Sequence, residues 1–165
     1  MNIRIGYIFG AVVCAALLGF GLYLQHVEGL DPCPLCVFQR VAFIALGLVF
    51  VIAALHGPGK TGAVVYALFG GLFAAAGTGI AARHVWLQNL PADQVPACGP
   101  GLSYMLERYP VTRLLEKVLS GSGECAEADW HFLGLTIPGW SLLWFVALGI
   151  LLVWLAWRCP RAAKY

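Results

Sequence analysis

Four long uncharged runs dominate the pattern of apolar and polar positions along the chain. They cover residues 5–27, 41–59, 61–82 and 130–157. Each run can hold about 20 apolar residues, the length at which an α-helix crosses a bilayer. Helices are expected because lipid offers backbone N–H and C=O groups no hydrogen-bond partners. The pattern therefore predicts an all-α membrane protein, a four-transmembrane-helix bundle with spans near residues 5–25, 39–56, 62–82 and 139–157.

The composition agrees with this pattern. Hydrophobic residues make up 61% of the chain and charged residues 11%, whereas a soluble domain carries about 25% charged residues. So few charges could not cover a water-facing surface of this size, so lipid is the expected solvent. We therefore expect residues 1–165 to form a single membrane domain in the lipid bilayer. No basic stripe of the kind that binds nucleic acids is present, and no nucleic-acid partner is expected.

The charges on the connecting segments predict the orientation. All eight acidic residues fall in two loops, near 26–38 and 83–138. The N-terminus, the loop after the second span and the C-terminus carry basic residues and no acidic ones, namely Arg4, Lys60, Arg158, Arg161 and Lys164. Because basic residues in short loops mark the cytoplasmic face, both termini are expected in the cytoplasm and both acidic loops outside. The first run could be a cleaved signal peptide, but its full spanning length favours retention.

Small residues at four-residue spacing predict where the helices pack closely. Gly6 and Gly10 form such a pair in the first span, and the third span has Gly70 with Ala74 and Ala75 with Gly79. Small side chains let helices approach each other closely in lipid. We expect these pairs to serve helix packing.

Four of the six cysteines fall in the outer loops: Cys33, Cys36, Cys98 and Cys125. Two outer pairs suggest disulfides, because that compartment is oxidising. A static cross-link is the simple interpretation of Cys98 and Cys125. Cys33 and Cys36 differ, since a bond across two residues closes a very small ring and constrains the unfolded chain little. That spacing is typical of redox thiols and of metal sites.

Cys36 is the candidate nucleophile of this pair. It would lie near the first turn of the second span, where a helix N-terminus favours a thiolate, and the thiolate is the attacking species in disulfide exchange. Arg40 follows one helical turn later and should share its face, either as an interfacial cation or beside the thiolate and a polar cofactor. His84, at the outer end of the third span, could donate a hydrogen bond to that cofactor or be structural. Cys14 and Cys159 are interpreted as packing residues.

A zinc site is the competing interpretation, because four outer cysteines could ligate one metal ion. Only one of the two pairs has the usual zinc spacing, so no metal is expected.

The second outer loop contains several proline and glycine residues, so it is not predicted to form one long helix. Residues 112–119 can form a short helix with an apolar stripe, which could lie in the membrane interface or pack within the loop. Cys98 lies between Pro96 and Pro100, in a segment that looks extended and could dock in another protein's groove.

These motifs resemble the disulfide bond formation protein B (DsbB) family over nearly the whole chain. The matching stretches are residues 33–40 (CPLCVFQR), Cys98, residues 123–127 (GECAE), residues 130–135 (WHFLGL) and residues 137–140 (IPGW). The resemblance implies a bacterial inner-membrane quinone reductase that uses ubiquinone or menaquinone. Its implied partner is a periplasmic thioredoxin-like dithiol oxidase (DsbA-like), which it reoxidises.

The resemblance also implies roles for individual residues. The partner's thiolate would attack Cys98, and the released Cys125 would exchange with the Cys33–Cys36 pair. Cys33 would receive that bond and leave Cys36 as a thiolate facing the quinone. Arg40 would stabilise the thiolate and polarise a quinone carbonyl, and His84 matches a position near the quinone.

Two alternatives remain at this point. A vitamin K epoxide reductase-like protein is also four-helical with paired cysteines, but its redox pair lies in a late span, whereas Cys33 and Cys36 precede the second. A membrane scaffold whose disulfides only cross-link its loops would reduce no quinone.

Overall fold

The chain folds mainly into four long helices. The computed structural model describes residues 3–30, 32–91, 93–95, 110, 123–126 and 130–159. The helices are α1 (Ile3–His26), α2 (Pro34–His56), α3 (Lys60–Gln88) and α4 (Ile137–Arg158). Each is long and apolar enough to cross a membrane, which confirms the predicted four-helix membrane bundle. All four extend beyond the predicted spans. The largest differences are the start of α2 at Pro34 and the end of α3 at Gln88.

Proline fixes the start of α2. Pro34 occupies the first turn, where its missing N–H costs nothing and its fixed φ suits the helix, and Cys33 before it is extended, with φ −64° and ψ 162°. The helix ends at Gly57, whose left-handed φ of 59° provides the C-cap. Cys33 is therefore the N-cap residue, and Cys36 lies in the first turn of α2.

The helices pack in chain order around an aromatic centre. α1 packs mainly on α2, α2 on α3, and α3 on α4, while contacts of α4 with α1 and α2 are sparser. Phe43 and Phe145 stack at the centre with ring centroids 3.9 Å apart. At one end of the bundle, Lys60 Nζ donates to the carbonyl oxygens of Ala156 and Trp157 at 2.7 and 3.2 Å. Cys33 lies at the opposite end, which we call the outer end.

Glycines on α1 and α3 bring the helices into close contact. A Cβ added at Gly6, Gly10 or Gly70 would collide with a leucine or phenylalanine side chain, as the small-residue pattern predicts. The expectation for Ala75 and Gly79 was wrong, because both are exposed. The buried face of α3 runs instead through its other small residues, Gly70, Ala74, Gly77 and Ala81.

Gly77→Val should lower the free energy of unfolding by about 1–3 kcal/mol, the usual cost of overpacking a filled core. A Cβ there would overlap the ring of Phe145. Gly79→Val is the matched control, since nothing lies within 4 Å of a Cβ at Gly79 and exposed changes usually stay within about 0.5 kcal/mol. Denaturant unfolding in detergent micelles measures both variants. Equal destabilisation would contradict the assigned contact face.

A short hairpin leads into α4. Strands β1 (His131–Phe132) and β2 (Leu135–Thr136) pair antiparallel, and the two turn residues between them have φ values of 52° and 80°, as a type I′ turn requires. Trp140 Nε1 donates to the Phe132 carbonyl at 3.1 Å, and Thr136 Oγ1 donates to Gln88 Oε1 at 2.8 Å. The hairpin is thereby tied to both α4 and α3 at the outer end. Cys98 and the short helix predicted at 112–119 lie outside the described residues.

Candidate functional site

A cavity of about 440 Å³ opens at the outer end of the bundle. All four helices and the hairpin contribute to its walls, and most of the lining is apolar. Aromatic rings of Phe43, Trp130 and Trp144 are part of that lining. The polar side chains that line it include Cys33, Cys36, Gln39, Arg40, His84 and Gln88. The cavity is therefore mostly apolar, with its polar side chains grouped on a small part of the wall.

Three of the predicted site cysteines meet beside this wall, which two of them, Cys33 and Cys36, line. Cys125 belongs to a 3₁₀ turn, Gly123–Cys125, which packs with Leu35 and Leu87 beside the start of α2. The side chain of Cys125 is 1% exposed and that of Cys33 is 9% exposed. The sulfur atoms of Cys33 and Cys125 and a ring nitrogen of His84 all lie within 4.8 Å of one another. The fold thus brings two distant segments of the sequence into one sulfur cluster, formed by Cys33, Cys36 and Cys125.

His84 is held against this cluster. Its Nε2 lies 3.7 Å from Cys33 Sγ, and its Nδ1 lies 4.0 Å from Cys36 Sγ. The Gln39 side-chain amide is 3.1 Å from the same Nδ1. His84 and Gln39 are both buried, at only 2% and 3% exposed. Gln39 lies three residues after Cys36, so helical geometry puts both on one face of α2.

Arg40 also lines the cavity, anchored to α1. Its Nη1 donates to Gln25 Oε1, and its Nη2 donates to the Gly21 carbonyl oxygen at 2.9 Å. Within the described part of the chain, no carboxylate pairs with Arg40, so neutral oxygens hold the guanidinium and leave its charge uncompensated there. Sequence reasoning missed Gln25 and Gly21, because their contact with Arg40 depends on how α1 and α2 pack.

Two positive influences act on Cys36. It lies in the first turn of α2, where the exposed N–H groups of the helix favour a negative charge. Arg40, one turn further along, lines the same cavity. A thiolate at Cys36 would therefore lie between the helix N-terminus and a cation, the setting in which reactive cysteines occur.

The two remaining described cysteines lie away from the cluster. Cys14 is buried within α1 and packs against the backbone of α2 at Gly47. Cys159 Sγ donates to the Pro58 carbonyl oxygen at 3.5 Å, at the end of the bundle that carries Lys60. Neither can exchange with Cys33 in this arrangement.

Comparison with known proteins assigns the family. The family model described as "Disulfide bond formation protein DsbB" matches residues 3–155. The chain belongs to the DsbB family. It is 54% identical to a disulfide bond formation protein B from Nitrosococcus oceani over 154 residues, covering 93% of this chain and 91% of that one. The corresponding protein of Hahella chejuensis is 54% identical over 157 residues, 94% of each chain. That of Acinetobacter baumannii is 48% identical over 161 residues, 96% of this chain and 94% of the relative.

Membership in the DsbB family sets the broad class, a multi-pass membrane protein of disulfide bond formation. The sulfur cluster and the cavity lie within the matched residues, whereas Cys159 follows the match at its C-terminal side.

Proposed function

We propose that this protein is a thiol:quinone oxidoreductase of the bacterial inner membrane that reoxidises a periplasmic DsbA-like dithiol oxidase. Its termini would be cytoplasmic and its redox cysteines periplasmic. The observation that carries the proposal is the position of the sulfur cluster beside an apolar cavity that Cys33 and Cys36 line, at one end of a bundle of four apolar helices. Electrons from a water-soluble donor could there reach a lipid-soluble acceptor.

The cavity residues fit a quinone head group. Its walls are mostly apolar, and its volume of about 440 Å³ lies within the range of small-molecule sites, about 300–1,000 Å³. Arg40 and His84 are the proposed binding residues, since both present N–H groups at the wall where a quinone oxygen could accept. A bound ubiquinone or menaquinone would supply the final acceptor of two electrons and two protons.

The proposed relay moves one disulfide inward at each exchange. The partner's thiolate attacks Cys98 in the Cys98–Cys125 disulfide and releases Cys125 as a thiolate. Cys125 then attacks Cys33, and the bond to Cys36 breaks with its electron pair on Cys36. The partner's second thiol displaces Cys98 and leaves the partner oxidised.

Cys98 then attacks Cys125 in the Cys33–Cys125 disulfide, which restores the Cys98–Cys125 bond and releases Cys33 as a thiolate. Cys33 and Cys36 would re-form their own disulfide by passing two electrons and two protons to a bound quinone. Per cycle, the partner's two thiols lose two electrons and two protons, and one quinone gains them. Potentials decide the direction, since 30 mV corresponds to about 1.4 kcal/mol for two electrons.

The direct test mixes purified protein, a soluble quinone and a reduced DsbA-like oxidase, and follows quinone absorbance. Catalytic loss of oxidised quinone is expected only when both the protein and the reduced partner are present. Absorbance that does not change with intact cysteines would overturn the proposal and favour a scaffold with static cross-links.

Arg40→Ala should raise the KM for quinone about tenfold or more, because a hydrogen bond to a charged group contributes about 1.5–3 kcal/mol. Steady-state kinetics at varied quinone concentration measures the change. Arg83→Ala is the matched control, since the Arg83 guanidinium lies over the Trp86 ring, 4.1 Å from its centroid, and is not part of the cavity wall. An unchanged KM in Arg40→Ala would remove Arg40 from the quinone site.

A further inference from the structure

Three side chains that commonly bind metals converge at the sulfur cluster. Cys33 Sγ, Cys125 Sγ and a ring nitrogen of His84 lie within 4.8 Å of one another, and all three residues are buried. Cys33 Sγ lies 3.7 Å from His84 Nε2. Bond lengths to tetrahedral zinc imply ligand-to-ligand distances of roughly 3.5–3.8 Å. A small inward shift would therefore complete a three-ligand site.

We propose that the reduced protein binds one zinc ion through the thiolates of Cys33 and Cys125 and Nε2 of His84, and that this ion blocks the relay. The charges balance, because two thiolates and one neutral imidazole compensate a divalent cation, as a buried position requires. Binding releases the two thiol protons. No electron moves, since zinc has no redox chemistry in proteins.

The surroundings of His84 suit this role. A histidine that binds zinc through Nε2 carries its proton on Nδ1, and that N–H needs an acceptor. The Gln39 amide lies 3.1 Å from Nδ1 and can present its oxygen by rotating about its terminal bond. Cys33 and His84 both line the cavity, so a fourth coordination position would face it. Three protein ligands with one open position is a common zinc arrangement.

The oxidation state of the cysteines controls the site. A disulfide from Cys33 to Cys36, or from Cys125 to Cys98, removes a thiolate ligand, so only the reduced protein can hold the ion. A bound ion would in turn occupy the Cys33 thiolate and prevent the reduced Cys33–Cys36 pair from passing its electrons to the quinone. This inhibition rests on the proposed function, whereas the binding itself does not.

The binding test titrates the reduced, anaerobic protein in detergent with Zn²⁺ in competition with a chromogenic chelator. One zinc ion per reduced chain is expected, and none for the oxidised chain. Cys125→Ser and His84→Gln should weaken binding by at least about 100-fold, and Gln39→Leu by about tenfold, the range for residues that orient a ligand. Cys159→Ser is the matched control and should bind like the wild type.

Two binding results would overturn the inference. One is wild-type affinity in both Cys125→Ser and His84→Gln. The other is loss of binding in Cys36→Ser with full binding in His84→Gln, which would place the ion on the Cys33–Cys36 pair. Cobalt(II) gives a second measurement on the wild type itself. Charge-transfer absorbance for two thiolates is expected, and absorbance for four thiolates would also contradict the site.

Activity separates this inference from the proposed function. Pre-reduced protein is mixed with quinone in a single turnover, with and without Zn²⁺. Zinc at ten times its dissociation constant should slow quinone reduction about tenfold by mass action, and a chelator should restore the rate. Unchanged rates with zinc bound would overturn the blocking role. Absence of quinone reduction by the metal-free protein would instead refute the proposed function and leave the zinc titration valid.

Discussion

Cys33→Ser should yield a folded protein whose rate of quinone reduction with a reduced DsbA-like partner is at least about 10³-fold lower, the scale of losing an essential nucleophile. A serine oxygen can neither form a disulfide with Cys36 nor receive the bond from Cys125. Serine is nearly the size of cysteine, and the position lies on the cavity wall, so folding should tolerate it. Quinone absorbance gives the rate, and thermal unfolding of the same preparation gives the stability.

The same pair of measurements tests the static cross-link. If Cys33 only stabilised the fold, the variant would keep its quinone activity and lose thermal stability. A ring that spans two intervening residues contributes little chain entropy, so the melting temperature should stay near that of the wild type. Cys159→Ser is the control, because that buried cysteine lies at the other end of the bundle, where its sulfur contacts Pro58, and it should keep both properties.

The helices could be predicted because hydrophobicity is a local property of the sequence. The predicted spans were taken from uncharged runs, however, so each is too short wherever its helix continues past a charged residue. Because Arg40 bounds an uncharged run, the predicted second span omitted the first turn of α2, which begins at Pro34. Arg83 in the same way led to a predicted third span that ends before α3 does, at Gln88. Proline after an extended residue was the available signal for α2. The placement of Ala75 and Gly79 failed because spacing alone does not say which face of α3 meets α4.

The candidate site divides in the same way. Cys33, Cys36 and Arg40 lie within eight residues, so helical geometry alone places them together. Cys125 beside Cys33 follows from the path of a long loop, and no local pattern encodes it. Gln39 is the instructive case, since its helical position was predictable but its partner, His84, comes from another helix.

Cys125→Ser should separate the two halves of the relay. Its Cys33–Cys36 pair stays intact beside the cavity, so chemically reduced variant should convert one equivalent of quinone per chain. Reduced wild-type protein carries two dithiols in the relay and should convert two equivalents, because each dithiol gives up two electrons. With the protein partner, steady turnover of the variant should fall at least about 10³-fold, since Cys98 then lacks the thiol that passes the disulfide inward.

The number of quinone equivalents reduced per chain distinguishes loss of disulfide transfer from loss of folding. An unfolded variant would lose both the single turnover of the chemically reduced protein and the steady-state turnover with the partner. Loss of the disulfide transfer from Cys125 to Cys33 alone would abolish only the steady-state turnover. Cys98→Ser should behave like Cys125→Ser, and Cys159→Ser should still give two equivalents. Steady turnover of Cys125→Ser with the protein partner at the wild-type rate would exclude Cys125 from the relay. Its burial beside Cys33 would then serve packing, and the partner would have to reach the Cys33–Cys36 pair directly.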